Sequence, residues 1–125
     1  MKVLVCGSRQ WVEPGPIERE LRKLPPSTIL IHGAARGADN IAGYVGKRLG
    51  FRVRPYPANW NRDGKSAGPI RNGFMLEKEH PDADGEYIEL GLAFHEDPGL
   101  GKGTKDMVAR MLKAHPIIQV QRFHR

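Results

Sequence analysis

The chain has 125 residues, a length that suits one domain, read here as residues 1–125, with enough material for a buried core. Apolar residues make up 39% and charged residues 27%, and no apolar run approaches the roughly 20 residues that cross a bilayer, which excludes a membrane partner. The formal charge of +6, from 20 Lys and Arg against 14 Asp and Glu, favours an anionic partner such as a nucleotide, a phosphosugar or nucleic acid.

The elements follow in chain order. Lys2–Cys6 is a short β-branched run halted by Gly7, which reads as a buried strand. It lacks the longer apolar core and the cleavage site of a secretory signal. Pro14 and Pro16 suit a first helical turn, after which Ile17, Leu21 and Leu24 form one apolar face, ended by Pro25-Pro26. Thr28–His32 is a second strand. A helix is expected from Ala38 to Leu49, with Ile41, Val45 and Leu49 on one stripe and Gly50 as its stop. Phe51–Tyr56 is a third strand, and Ala58–Gly68 reads as a long irregular segment.

Pro69 opens a helix running to about Glu79. Tyr87–Phe94 is a fourth strand and His95–Lys102 a glycine-rich loop. Gly103–Ala114 is the last helix, Pro116–Val120 the fifth strand and Gln121–Arg125 a basic tail. Strands alternating with helices of about ten residues imply right-handed βαβ units. The expected fold is a Rossmann-like three-layer α/β/α sandwich with a mainly parallel five-stranded sheet in the order 3-2-1-4-5.

In such sheets ligands bind beyond the carboxyl ends of the strands, at the switch point. The loops after the strands therefore carry the functional reading. Glycines there let backbone approach an anion, and each following helix start offers unpaired N–H groups and a positive dipole end. Gly7, Ser8 and Arg9 form one cradle; His32, Gly33, Arg36 and Gly37 lie in a second, with Asp39 in the helix turn that follows; Gly101, Lys102, Gly103 and Thr104 form a third. Asp39 either binds a ribose hydroxyl or compensates the helix dipole.

Lys102 is followed by glycine, so this is not a Walker A loop, and Gly64-Lys65-Ser66 fails because Asn59 stands where the first glycine belongs. Gly7-Ser8-Arg9 does not match the dinucleotide G-x-G-x-x-G fingerprint either. Two helix ends, two arginines and one stacked base support roughly micromolar binding.

These loops together resemble the SLOG superfamily of Rossmann-like nucleotide-binding proteins, particularly its YspA-like branch. The residues that carry the resemblance are Cys6-Gly7-Ser8-Arg9, His32 through Asp39, Tyr56 through Trp60, Gly64-Lys65 with Ala67-Gly68-Pro69, Arg71-Asn72 with Met75-Leu76, Ala93-Phe94-His95, and Gly101 through Thr104 with Asp106-Met107. The resemblance implies a nucleotide or nucleotide-derived ligand, with Gly103-Thr104 and the Gly33–Asp39 loop at its phosphate and sugar. Its relatives include LOG enzymes, which hydrolyse cytokinin ribotides at the N-glycosidic bond, and the DNA-processing protein DprA. In LOG enzymes an arginine and a glutamate serve catalysis. Arg71 matches the arginine, while the glutamate position falls on Met107, with Asp106 one residue earlier and rotated by about 100 degrees on a helix.

Other groups have competing readings. Cys6, the lone cysteine, is a small core residue rather than a nucleophile, and it suits a reducing, cytoplasmic setting. The histidines show no zinc spacing, so no metal site is assigned. His95-Glu96-Asp97 holds Mg²⁺, acts as acid–base or is a polar loop, with the loop favoured, and no cofactor is otherwise implied. His32 is a structural hydrogen-bonding residue or a ligand contact.

Trp60 is a lid that stacks a base or a plug beneath the long segment, with the lid favoured. Arg71 and Asn72 either bind a phosphate or merely bridge the loop above them, with ligand binding favoured. The preferred function is nucleotide binding, as a sensor or a small nucleotide-processing protein, in a chain that self-associates through apolar helices into a homo-oligomer. The alternatives are an N-glycosidic nucleotide hydrolase using Arg71, Asp39 and Asp106, and DprA-like nucleic-acid binding. The last is less favoured because the basic residues are scattered and do not alternate with aromatics.

Overall fold

A computed structural model describes residues 1–81 and 85–124. Five parallel strands form one sheet: β1 (Lys2–Gly7), β2 (Ile29–His32), β3 (Arg52–Pro55), β4 (Leu90–Phe94) and β5 (Gln119–Phe123), in the spatial order β3-β2-β1-β4-β5. The expected order is the observed one. Helices α1 (Pro14–Leu21) and α2 (Ala38–Arg48) cover one face, where Ile17, Leu21, Ala42 and Val45 meet Val3, Val5 and Leu30. A short helix, α3 (Trp60–Asp63), and a 3-10 turn at Gly64–Ser66 lead into α4 (Ala67–Glu79). With α5 (Gly101–Lys113), α4 covers the other face, where Met75, Met107 and Met111 pack on Leu4, Ile31 and Ala93.

Several boundaries differ from the sequence reading for local reasons. The first helix stops at Leu21 because its last turn tightens, with Lys23 N–H bonded to the Glu20 carbonyl and Leu24 N–H to that of Leu21. Leu24 still packs on the core from beyond the helix. On α2 the buried stripe is Ala38, Ala42 and Val45, while Ile41 and Leu49 are half-buried at its edge. Small residues let this helix press on the sheet: a Cβ on Gly43 would stand 2.7 Å from His32 Nε2.

Part of the segment expected to be irregular is helical. Asn59 caps α3 by accepting the Arg62 N–H at 3.0 Å, and α4 begins before Pro69, whose missing N–H costs nothing in a first turn. β4 starts at Leu90 rather than Tyr87, because the Ile88 N–H is donated to His80 Nδ1 at 2.9 Å instead of to a neighbouring strand. β5 runs from Gln119 to Phe123, not from Pro116 to Val120, so most of the expected basic tail is strand. Phe123 stacks on Phe94, with centroids 4.8 Å apart, which fixes that register. Arg125, the tail's last residue, lies outside the described residues. Among the described residues no helix is long and apolar enough to cross a membrane.

Candidate functional site

Because β1 lies between β2 and β4, the chain leaves it toward one face and leaves β4 toward the other. The loops that follow these strands part at that point and open a crevice. A cavity of about 430 Å³ sits there, within the range of small-molecule sites. Its wall is built from the end of β1, from the loop after β2 and the first turn of α2, from α3, and from the starts of α4 and α5.

Most of the expected residues meet in this cavity. Gly7, Ser8, Arg9, Gly33, Asp39 and Trp60 line it, as do Arg71, Asn72, Gly101, Lys102, Gly103, Thr104 and Asp106. Three expected residues do not. Arg36 and Gly37 border a separate shallow groove with Gln10, Trp11 and Asn40, and only Arg9 reaches both. Ala34 and Gly37 have positive φ, 56° and 83°, and a Cβ on Gly37 would stand 2.2 Å from the Ser8 carbonyl oxygen. These two backbone reversals carry Arg36 away from the cavity.

His32, the third, is buried under the loop, where Nδ1 accepts the Ala34 N–H at 2.9 Å. Burial first, then the charges of Lys47 and Arg71, lowers its pKa to about 4, so the ring is neutral at pH 7. A group depressed from 6.5 in the unfolded chain contributes stability at neutral pH that is lost as pH falls from 6.5 to 4. The unfolding free energies of the native protein and a His32→Asn variant should therefore converge by up to about 3 kcal/mol across that interval, measured by urea denaturation at each pH. A constant difference would contradict this role.

Asp39 is buried in the cavity wall, where Oδ2 accepts the Gly33 N–H at 2.9 Å and the Ala35 N–H at 3.4 Å. Burial raises its pKa to about 6, against the opposing pull of Arg71, the two amides and Arg9. Arg71 ties the wall together. Its guanidinium donates to the Gly33 carbonyl, to the Tyr56 carbonyl at 3.4 Å and to Asn72 Oδ1 at 2.9 Å. Asn72 in turn donates to Asp106 Oδ2 at 3.0 Å, which also accepts Arg110 Nε at 2.9 Å. Burial pushes the Asp106 carboxyl up, but Asn72 and Arg110 outweigh it and hold the pKa below the usual range.

Ser8 is committed within the protein: its hydroxyl donates to Glu96 Oε1 at 2.6 Å and accepts the Gln10 N–H at 2.9 Å. The cations differ. Arg9, Lys65 and Lys102 make no hydrogen bond or ion pair among the described residues, and Arg9 lies over the Trp60 ring at 4.8 Å from its centroid. Trp60 is 46% exposed, so it is no plug. Beside these cations, α5 starts at the rim with no side chain capping its first amides, whereas α4 continues the 3-10 turn, with the Ala67 N–H donated to the Gly64 carbonyl and Pro69 having none to offer. Cations beside the uncapped start of α5 are an anion-binding arrangement.

Sequence reasoning left Lys65 and His95 out of the site, although both line the cavity. Lys65 had a signal, a cation just ahead of a helix start. His95 sits at the end of β4, where its Nδ1 accepts the Asp97 N–H at 3.0 Å, and Asp97 Oδ1 accepts that of Gly99 at 2.8 Å. The side chains considered for Mg²⁺ thus shape the loop, and no group of three or more metal-ligating side chains occurs among the described residues. Cys6 is buried, which pushes its thiol pKa up and leaves it unreactive.

The YspA, cpYpsA-related SLOG family is matched by residues 1–62, which hold β1 to β3 and Trp60. The Gene 61 protein of Mycobacterium phage D29 is 38% identical over 84 residues, covering 60% of this chain and 67% of that protein. No solved structure matches.

Proposed function

This chain belongs to the YspA, cpYpsA-related SLOG family, and from that membership we propose that it binds one phosphate-bearing nucleotide, or a nucleotide-derived molecule, in the cavity at the sheet's carboxyl rim. Family membership supports a nucleotide-related function in general. The finer reading is carried by one observation: three cations without a hydrogen bond or ion pair among the described residues, the uncapped start of α5 and an exposed tryptophan share a single cavity. The phosphate lies over Gly101–Thr104 with Lys102 and Lys65, the base lies against Trp60, and residues 1–125 act as one binding domain.

Calorimetric titration with nucleoside monophosphates tests it. The preferred nucleotide should bind in the micromolar range, and the matching nucleoside more weakly. Trp60→Ala should cost about 1–3 kcal/mol, roughly 5- to 150-fold in Kd. Equal affinity for nucleoside and nucleotide would reject the phosphate assignment.

A hydrolytic reading has one observation in its favour. Asp39, with its pKa near 6, and Arg71 both line the cavity, and a carboxyl titrating near neutrality suits acid–base work. Against it, Met107 at the position of the LOG glutamate is core, and Asp106 is held by Asn72 and Arg110. Release of free base from a bound monophosphate would support hydrolysis; binding without release would reject it.

A further inference from the structure

We infer that Arg9 makes the ring and the anionic group of the ligand bind interdependently, by leaving the face of Trp60 when the ring arrives and moving to the anion; this rests on the nucleotide-site reading above. The guanidinium carbon lies 4.8 Å from the Trp60 ring centroid, and both side chains line the cavity. Trp60 offers a broad, half-exposed aromatic surface, and Arg9 covers part of it.

The Arg9 main chain is fixed while its side chain is not. A Cβ on Gly37 would stand 2.7 Å from Arg9 Cα, and the adjoining Ser8 carbonyl accepts the Ala38 N–H at 3.0 Å, so the backbone is pinned against the start of α2. The guanidinium makes no hydrogen bond or ion pair among the described residues, and Arg9 borders both the cavity and the groove beside it. It therefore has somewhere to go and little but the indole to hold it.

A flat heteroaromatic ring that stacks on this face of Trp60 must take the place of Arg9. A ring arriving alone breaks the cation–π contact. An anion arriving alone also breaks it, by drawing Arg9 away and leaving the indole wet. Once either is bound, the other no longer carries that cost, and the two halves favour each other. A partly exposed cation–π contact sets the coupling at about 2- to 5-fold in affinity.

The test titrates the purified protein with adenosine, guanosine, cytidine and uridine, without and with saturating inorganic phosphate. The nucleoside that binds best should bind about 2- to 5-fold tighter with phosphate present. In Arg9→Ala the ratio should fall to one, and the nucleoside alone should bind at least as tightly as it does to the native protein. A ratio of one or less in the native protein, with phosphate and nucleoside each binding, would overturn the role of Arg9 and leave the site standing. Coupling that persists in Arg9→Ala would do the same. If neither phosphate nor any nucleoside binds the native protein, the nucleotide site itself falls.

Discussion

Alanine at position 79 should lower the unfolding free energy by about 3–5 kcal/mol at pH 7, a large share of the roughly 5–15 kcal/mol that holds a domain of this size. Glu79 ends α4 and, like Lys2, is 2% exposed. Its Oε1 pairs with Lys2 Nζ at 2.9 Å and with Arg54 Nη1 at 2.8 Å, while Oε2 accepts the Tyr56 hydroxyl. Lys2 Nζ also donates to the Glu79 carbonyl at 3.2 Å. The carboxylate joins the first strand, the edge strand β3 and the end of a helix at one buried point.

Removing that carboxylate breaks its buried ion pairs with Lys2 and Arg54 and the hydrogen bond from Tyr56 at one point, and this sets the size of the loss. Lys2→Met should cost less, because Arg54 and Tyr56 still face the carboxylate. Burial pushes the Glu79 pKa up, but the bonds from Tyr56 and Lys2 and the charges of Lys2 and Arg54 hold it below its ordinary value. The stabilisation is therefore present at neutral pH and lost as pH falls through the folded-state pKa. Urea denaturation of both variants checks this, and a loss below about 1 kcal/mol for Glu79→Ala would contradict it.

Gly103→Glu should leave the fold intact and abolish the proposed nucleotide binding. A Cβ built on Gly103 meets nothing within 4 Å, its φ is not positive, and it lies in the first turn of α5. Replacing a helical glycine gains about 0.5–1 kcal/mol, and an acid near a helix N-terminus adds about 0.3–1 kcal/mol. The same carboxylate would stand at the cavity wall, between Lys102 and Thr104, where the proposed reading puts the ligand's anion. Loss of a charged hydrogen bond together with like-charge repulsion should weaken nucleotide binding by at least about 100-fold. A melting temperature equal to or above that of the native protein, with binding gone, is the expected pair of results. Affinity within threefold of the native protein would show that the anion lies elsewhere.

The sheet order was legible because alternating strands and helices, with right-handed crossovers, leave few arrangements. Strand ends were less so. The register of β5 depends on Phe123 meeting Phe94, and that of β4 on His80 capturing the Ile88 N–H, contacts between residues far apart in the chain. α3 was missed because four residues held by the Asn59 cap carry no periodicity.

Within the cavity, the glycine-bearing loops could be read because each follows a strand. Arg36 could not be placed, since its direction is set by a positive φ at Ala34, which no residue type announces. The Lys2–Glu79 pair was hidden for another reason. A lysine opening a strand and a glutamate closing a helix both look like solvated ends until the fold joins them.

Amide chemical-shift mapping during titration with a nucleoside monophosphate is the most direct test of the site. Perturbations should concentrate at Gly101–Thr104, Ser8–Arg9 and Gly33–Ala35, with the Trp60 indole N–H shifting in the same titration. Shifts confined to Arg36, Asn40 and Ile41, or spread evenly over the basic surface, would place the anion outside the cavity and contradict the assignment.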